Sequence, residues 1–445
     1  MMVATTNSPT LADVDDRLMR YPSRLPARPP LVDFAAQKPR LFRLGALTSL
    51  ALALGCGSAR SGPNTPDGPQ GTQGAASPPE PTSSDTRGGA WPKDTRSPVI
   101  IEVEDAAARA LIERCGKPDA RLGAAASQVA ERLGGGGDLV SGELAYAVRS
   151  AGSPYVRPRL WSIQGGGVSK EHADLVSQWV QGWKPVGQRR CGLASIGESA
   201  EAITVVVAAD VLADLEPLAT RARVGQWIEV SAELLVKASD PKLVVLGPRG
   251  KPKGFPTQLD GKRIRSRFNA DQPGRWLVQI MASANTGPRP VAEAFVFAGV
   301  EPPAEFQAEP APGESAYEGA SGPREAIFEM LNAARKEEGL SQLRYDARLA
   351  NLAQQHAISM RKVGNIGHDV GQGSPEARVR AAGLRFKALG ENVARAASVP
   401  RAHRALWASP SHRGNMLLDQ FDSVGIGAVV SEDGSVWVCQ LYAGR

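Results

Sequence analysis

Apolar positions recur at helical spacing in two separate stretches of the chain and at strand spacing between them. Ala107, Leu111, Ile112 and Cys115 fall at i, i+4, i+5 and i+8, one face of a helix. Leu122, Ala125, Ala126, Val129 and Leu133 repeat the pattern, and Gly134 to Gly137 stop it. A third helix is expected over Ser141 to Ser150. Ile203 to Ala208 is an unbroken apolar, β-branched run and reads as a buried strand. From Trp227 to Leu234 the period changes to two. Further short strands are expected at Leu243 to Leu246, Arg263 to Phe268, Gly274 to Met281 and Val291 to Phe297, with turn residues between them. Residues 219–300 therefore read as a small immunoglobulin-like β-sandwich. Helical spacing returns at Ile327, Met330, Leu331 and Ala334. It continues at Leu349, Leu352, Ala353, His356 and Met360 behind Asp346, an N-cap. Ser374-Pro375 opens a third helix of this region and Val399 to Ala408 form a fourth. Two strands, Ser423 to Ser431 and Ser435 to Tyr442, follow around a tight turn. Helices first and a hairpin last make this region α+β.

Composition supplies the linkers. Most of the chain's large apolar residues lie outside 57–98, which is dominated by Gly, Pro, Ser and Thr, and outside 301–322, dominated by Pro, Glu and Ala. The first cannot bury enough surface to offset its ordering entropy and is expected to be a disordered tether. The 445 residues thus divide into 1–56, 57–98, an α+β module at 99–218, the sandwich at 219–300, a linker at 301–322 and a last domain at 323–445. A net charge of +6 from 52 basic and 46 acidic residues is spread thinly. It builds no dense basic patch for a phosphate backbone, so nucleic acid is excluded as a partner.

Leu44 to Gly55 is a charge-free apolar run preceded by Lys38, Arg40 and Arg43 and followed by Cys56. Such a run reads as a signal peptide, too short at about 18 Å for a ~30 Å bilayer core. Ala53-Leu54-Gly55-Cys56 resembles a bacterial lipobox. The resemblance implies cleavage before Cys56 and an acylated N-terminus that anchors the protein to a membrane. The expected location is the cell envelope, as an outer-membrane lipoprotein facing periplasm or surface. Export places Cys115 and Cys191 where disulfides form, and either a bond between them or two buried thiols fits. Cys439 reads as a buried thiol.

Chemistry concentrates after residue 323. Leu331-Asn332-Ala333-Ala334-Arg335 precedes Glu338-Gly339-Leu340, and Leu349 to Met360 reads L-x-x-L-A-x-x-H-x-x-x-M. Gly367-His368, Gly390-Glu391-Asn392-Val393-Ala394 and Trp407 to Leu417 (WASPSHRGNML) follow. Val424-Gly425-Ile426-Gly427 and Val436 to Tyr442 complete the order. These motifs resemble the CAP superfamily of cysteine-rich secretory, antigen 5 and pathogenesis-related proteins, in its bacterial form. The resemblance covers a little over a quarter of the chain. It implies an α-β-α sandwich with a concave cleft lined by His368, Glu391 and His412, with Asn392 and Asn415 beside it. It also implies two readings of that cleft. One is a site for a lipid, glycan or envelope-protein partner. The other is a metal-assisted hydrolase in which His368 and His412 hold a divalent cation such as zinc. The eukaryotic form carries a further Glu after the Trp; here Ser409-Pro410 stands there, which favours the binding reading over the enzyme.

Two other histidines are assigned by position alone. His356 lies on an apolar helix face and is expected in the core. His403, in the run Arg401-Ala402-His403-Arg404, is expected in solvent. Residues 99–218 echo the helix-then-strand order of the last domain, and Leu144 to Gly152 parallels Glu376 to Leu384. A degenerate, cleft-less CAP copy is one expectation for them.

Overall fold

The computed structural model describes residues 20–21, 91–137, 139–140, 142–165, 168–198, 201–285 and 287–444. Cys56, the apolar run before it and most of the Gly/Pro stretch lie outside the described residues.

A two-residue strand β1 (Arg20–Tyr21) precedes β2 (Asp94–Thr95). The first module then runs α1 (Ala106–Cys115), β3 (Lys117–Pro118), α2 (Ala120–Gly134), α3 (Glu143–Ser150), β4 (Arg159–Gln164), α4 (Lys170–Gln181), β5 (Gln188–Ile196) and β6 (Ile203–Val211). Asp119 caps α2 by accepting from the amides of Arg121 and Leu122. The sheet order is β1-β4-β6-β5-β3. Strand β6 is central and buried on both faces, hence its continuous apolar run. Helices α2 and α3 cover one face and α1 and α4 the other. The module is thus a three-layer α+β unit, richer than three helices and one strand: β4 and β5 lack a clean period in sequence, and α4, absent from the expected elements, does carry Ala173, Val176 and Val180 on one helix face behind the Ser169 cap. Cys115 and Cys191 are joined in a disulfide that ties the end of α1 to β5.

The sandwich follows, with strands β7 (Ala213–Leu215), β8 (Leu218–Ala219), β9 (Arg221–Ala222), β10 (Trp227–Leu234), β11 (Ser239–Leu246), β12 (Lys253–Phe255), β13 (Thr257–Asp260), β14 (Arg263–Asn269), β15 (Gly274–Ala284) and β16 (Gly287–Ala298). Its sheets are β13-β14-β10-β7 and β12-β11-β15-β16-β9. The core between them already includes Leu212, Ala213, Leu215 and Leu218, so this domain starts before residue 219. The stretch 57–98 is also folded at its described end. Trp91 is buried, donates its indole N–H to the Pro303 carbonyl at 2.8 Å, and stacks edge-on with Tyr146 and Phe297. One large aromatic offsets the ordering entropy that average composition predicted would win.

The last domain runs α5 (Pro323–Glu337), β17 (Arg344–Tyr345), α6 (Ala347–Val363), α7 (Pro375–Ala381), β18 (Ala388–Ala396), α8 (Val399–Ala408), α9 (Pro410–Met416), β19 (Ser423–Val430) and β20 (Val436–Gly444). Its sheet order is β17-β19-β20-β18. One layer is α5, α8 and α9, packed through Ile327, Met330, Leu331, Leu406 and Met416. The other is α6 and α7, packed through Leu349, Ala353, Met360 and Val379. The architecture is α+β with an α-β-α sandwich at its end. The linker 301–322 is a strap laid on this domain: Gly313 donates to Glu337 at 2.8 Å and Arg404 pairs with Glu314. His403 is therefore not in solvent. It is 1% exposed, its Nε2 bonded to the Pro312 carbonyl at 2.8 Å, because the strap covers the helix face that sequence leaves bare.

Candidate functional site

Glu391 and Asn392 are neighbours on β18, so their side chains point to opposite faces of the sheet. Glu391 faces α6 and α7. His368 Nδ1 lies 2.9 Å from its Oε1, and Arg378 Nη2 donates to its Oε2 at 2.6 Å. His356 Nε2 is 3.8 Å from Oε1, and the Cys439 thiol donates to Oε2 at 3.4 Å. Asn392 faces α8 and α9. Its Nδ2 donates to the His412 carbonyl at 3.1 Å and lies near Gln440 Oε1 and the Tyr442 hydroxyl. Strand β18 is an edge of the sheet, so the two layers meet past it. Asn415 bridges them there, donating to the Glu391 carbonyl at 3.2 Å and to Asn392 Oδ1 at 2.9 Å.

Local sequence places each group. Asp369 Oδ1 accepts from the amides of Gly371, Gln372 and Gly373, which folds the loop carrying His368. That loop is pinned by His356 at the Gly367 carbonyl and by Arg378 at the His368 carbonyl. His412 sits in the first turn of α9, where Ser409 is the N-cap and Pro410 the first helical residue. The Ser-Pro that departs from the eukaryotic motif is thus what starts this helix.

The electrostatics are those of a closed cluster. Burial raises the Glu391 pKa, but the His368 hydrogen bond and then the Arg378 charge outweigh it, so the carboxyl is held below its ordinary range. Burial, with the neighbouring His368 adding to it, takes His412 down to about 3. Burial and then the Glu391 charge push the Cys439 thiol well up. Glu391 and His412 are each 3% exposed and Asn392 is fully buried, whereas the His368 side chain keeps 17%. His368 is the group of this set that solvent reaches.

The structure brings His368, Glu391, His412 and Asn392 together. It adds Arg378, which no motif singled out, and Cys439, Gln440 and Tyr442 of the last motif strand, whose place beside Glu391 and Asn392 is set by strand register. The metal expectation does not fit. Both Glu391 oxygens are engaged, and a guanidinium at 2.6 Å opposes a cation. Among the described residues no group of three or more His, Cys, Asp or Glu side chains could hold an ion. The Cys439 thiol, neutral and buried, is not a prepared nucleophile.

Comparison with known proteins agrees with this domain. Residues 328–441 match the model of the CAP family, described as the cysteine-rich secretory protein family. The uncharacterized protein YkwD of Bacillus subtilis (strain 168) is 32% identical over 129 residues, 28% of this chain and 47% of that protein. The chain thus spans about half the length of the curated relative it matches. An outer surface protein from Borrelia burgdorferi is 22% identical, covering 28% of this chain and 92% of its own, with a TM-score of 0.27. An extracellular SCP-domain protein from Bacillus anthracis str. Ames is 17% identical, covering 53% and 86%, with a TM-score of 0.25.

Proposed function

From a CAP domain at residues 328–441, we propose that this chain is an exported envelope protein whose cleft binds a partner and does not turn over a substrate. The partner is a lipid, a glycan or an envelope protein, and His368 is the polar group that meets it. The observation that carries this reading is the engagement of Glu391. A carboxylate ionised between His368 and Arg378 is not a general acid, and one shared with a guanidinium is a weakened orienter for a general base. A His412 with a pKa near 3 is neutral, so it offers hydrogen bonds and no charge.

The test uses the full chain. The His368 ring resonance is followed on addition of phosphatidylglycerol vesicles, of peptidoglycan fragments and of envelope protein fractions. A shift with one of these is expected, with co-sedimentation or pull-down of that same component weakened in His368→Ala, together with no turnover of p-nitrophenyl acetate or butyrate. Ester turnover that His368→Ala abolishes, with no shift in any mixture, overturns the reading in favour of a hydrolase.

We also propose that Cys56 carries a lipid anchor, on the strength of the lipobox and the apolar run before it. No helix of the described residues is long and apolar enough to cross a membrane. Metabolic labelling with a fatty-acid analogue is expected to mark the protein and to spare Cys56→Ser; equal labelling of both sinks the anchor.

A further inference from the structure

We propose that residues 106–211 are a second copy of the CAP fold whose site has been lost, making the chain a CAP tandem with one working cleft.

The path of the chain is the first ground. Between α1 and β6 the strands β3, β4, β5 and β6 occur in the order in which β17, β18, β19 and β20 follow α5. In the sheet they stand as β3-β5-β6-β4, and the last domain stands as β17-β19-β20-β18. In each, the first pair is parallel and the other two are antiparallel. The layers also correspond. The helices after the first strand (α2 and α3; α6 and α7) cover one face, and those before it and after the second strand cover the other.

Detail follows at the level of single residues. Asp119-Ala120-Arg121-Leu122 opens α2, and the same four residues, Asp346-Ala347-Arg348-Leu349, open α6. Asp119 N–H donates to the Cys191 carbonyl at 2.9 Å, and Asp346 N–H donates to that of Val424 at 3.0 Å. The next residue of each strand is glycine, pressed against the start of its helix. A Cβ on Gly192 would lie 2.0 Å from Gly123 N, and one on Gly425 would lie 2.1 Å from Ala350 N. Helices α3 and α7 end alike, Val148-Arg149-Ser150-Ala151-Gly152 against Val379-Arg380-Ala381-Ala382-Gly383. Both final glycines have positive φ, at 77° and 72°. In both, the following amide reaches back to the valine carbonyl.

These registers locate the missing site. Leu160 pairs with Val207 where Glu391 pairs with Leu441, and Trp161 pairs with Val206 where Asn392 pairs with Gln440. Val205 then stands for Cys439, Ala208 for Tyr442, Ala147 for Arg378 and Val129 for His356. Each polar residue that these registers map, on strand and helix, is apolar in the first copy. Loss of the carboxylate and of its guanidinium together leaves no unpaired buried charge. Arg149, the counterpart of exposed Arg380, is turned instead into a buried pair with Glu293 of the sandwich at 2.5 Å. The first copy has become a platform for the next domain.

Ala147, Val129 and Leu160 share one core, so the ancestral contacts are testable in the full chain. Leu160→Glu is expected to lower the thermal midpoint by roughly 4–8 °C, as an unpaired charge at a half-buried position packed on the core. L160E with Ala147→Arg is expected to recover at least half of the two single losses combined. Losses that simply add would overturn the correspondence. A readout independent of stability uses Val129→His. The pKa of the new imidazole, followed by NMR, is expected to be higher in V129H/L160E than in V129H; an unchanged value refutes it.

Discussion

At the scale of single residues, the site is held by the opposed effects of burial and charge around Glu391. Arg378 is the group whose removal exposes that opposition. Arg378→Met is expected to cost about 3–5 kcal/mol in urea unfolding, because it strands a buried carboxylate beside a buried thiol. The histidines give the pH dependence its sign. His412 has a folded-state pKa near 3, below the ~6.5 of an exposed imidazole, so the unfolded chain binds the proton first. The stability this provides is complete above pH ~6.5, declines as pH falls towards 3, and is gone below that. Burial lowers His356 and His403 in the same direction. Unfolding free energy measured from pH 7 to pH 4 is expected to fall, and His412→Asn is expected to flatten the slope by up to ~1.4 kcal/mol per pH unit. His368, Glu391 and His412 were legible from motif alone. Arg378 was not, and although Cys439 was readable as a buried thiol its contact with Glu391 was not, because both depend on which face of helix and strand they occupy.

At the scale of elements, the last domain is set by close approach of helix α6 to strand β19. A Cβ on Gly427 would stand 2.2 Å from the Ala353 backbone. Gly427→Ala is expected to cost about 1–3 kcal/mol or more as overpacking, read as a lower calorimetric midpoint without loss of helical signal. Helix starts were readable here because Asp346 and Ser374 cap in sequence as they do in space. Strand β18 was not read as a strand. Its middle, Gly390 to Ala394, is buried on both faces, so it shows no alternation there. Helix α9 is two turns long, too short to show a period.

At the scale of the molecule, the modules are joined by buried polar contacts. Arg149 and Glu293 pair across the first module and the sandwich, with Gln279 donating to the other Glu293 oxygen at 2.5 Å. Arg413, from the motif that carries His412, donates to the Gly247 carbonyl of the sandwich at 3.1 Å and stacks on Trp407. Glu293→Met is expected to cost about 3–5 kcal/mol, and adding Arg149→Met is expected to recover most of that, since an apolar pair can replace an ion pair. Urea unfolding of the two variants against the parent decides it. The repeated D-A-R-L and V-R-x-A-G segments were present in the sequence all along. The second was readable as a parallel between Leu144 to Gly152 and Glu376 to Leu384, whereas the four-residue D-A-R-L stands out only once strand register shows that both copies occupy the same place.

Sequence alone determined the α+β class of the last domain, two of the helix caps there and the sandwich between two helical regions. Each of these rests on local spacing, which the chain states residue by residue. Tertiary structure alone decided that Trp91 and the 301–322 strap are folded, that His403 is buried and that Glu391 belongs to Arg378 as much as to His368. These depend on which distant segments meet. Burial and the partner of a charge are properties of the meeting, not of either segment.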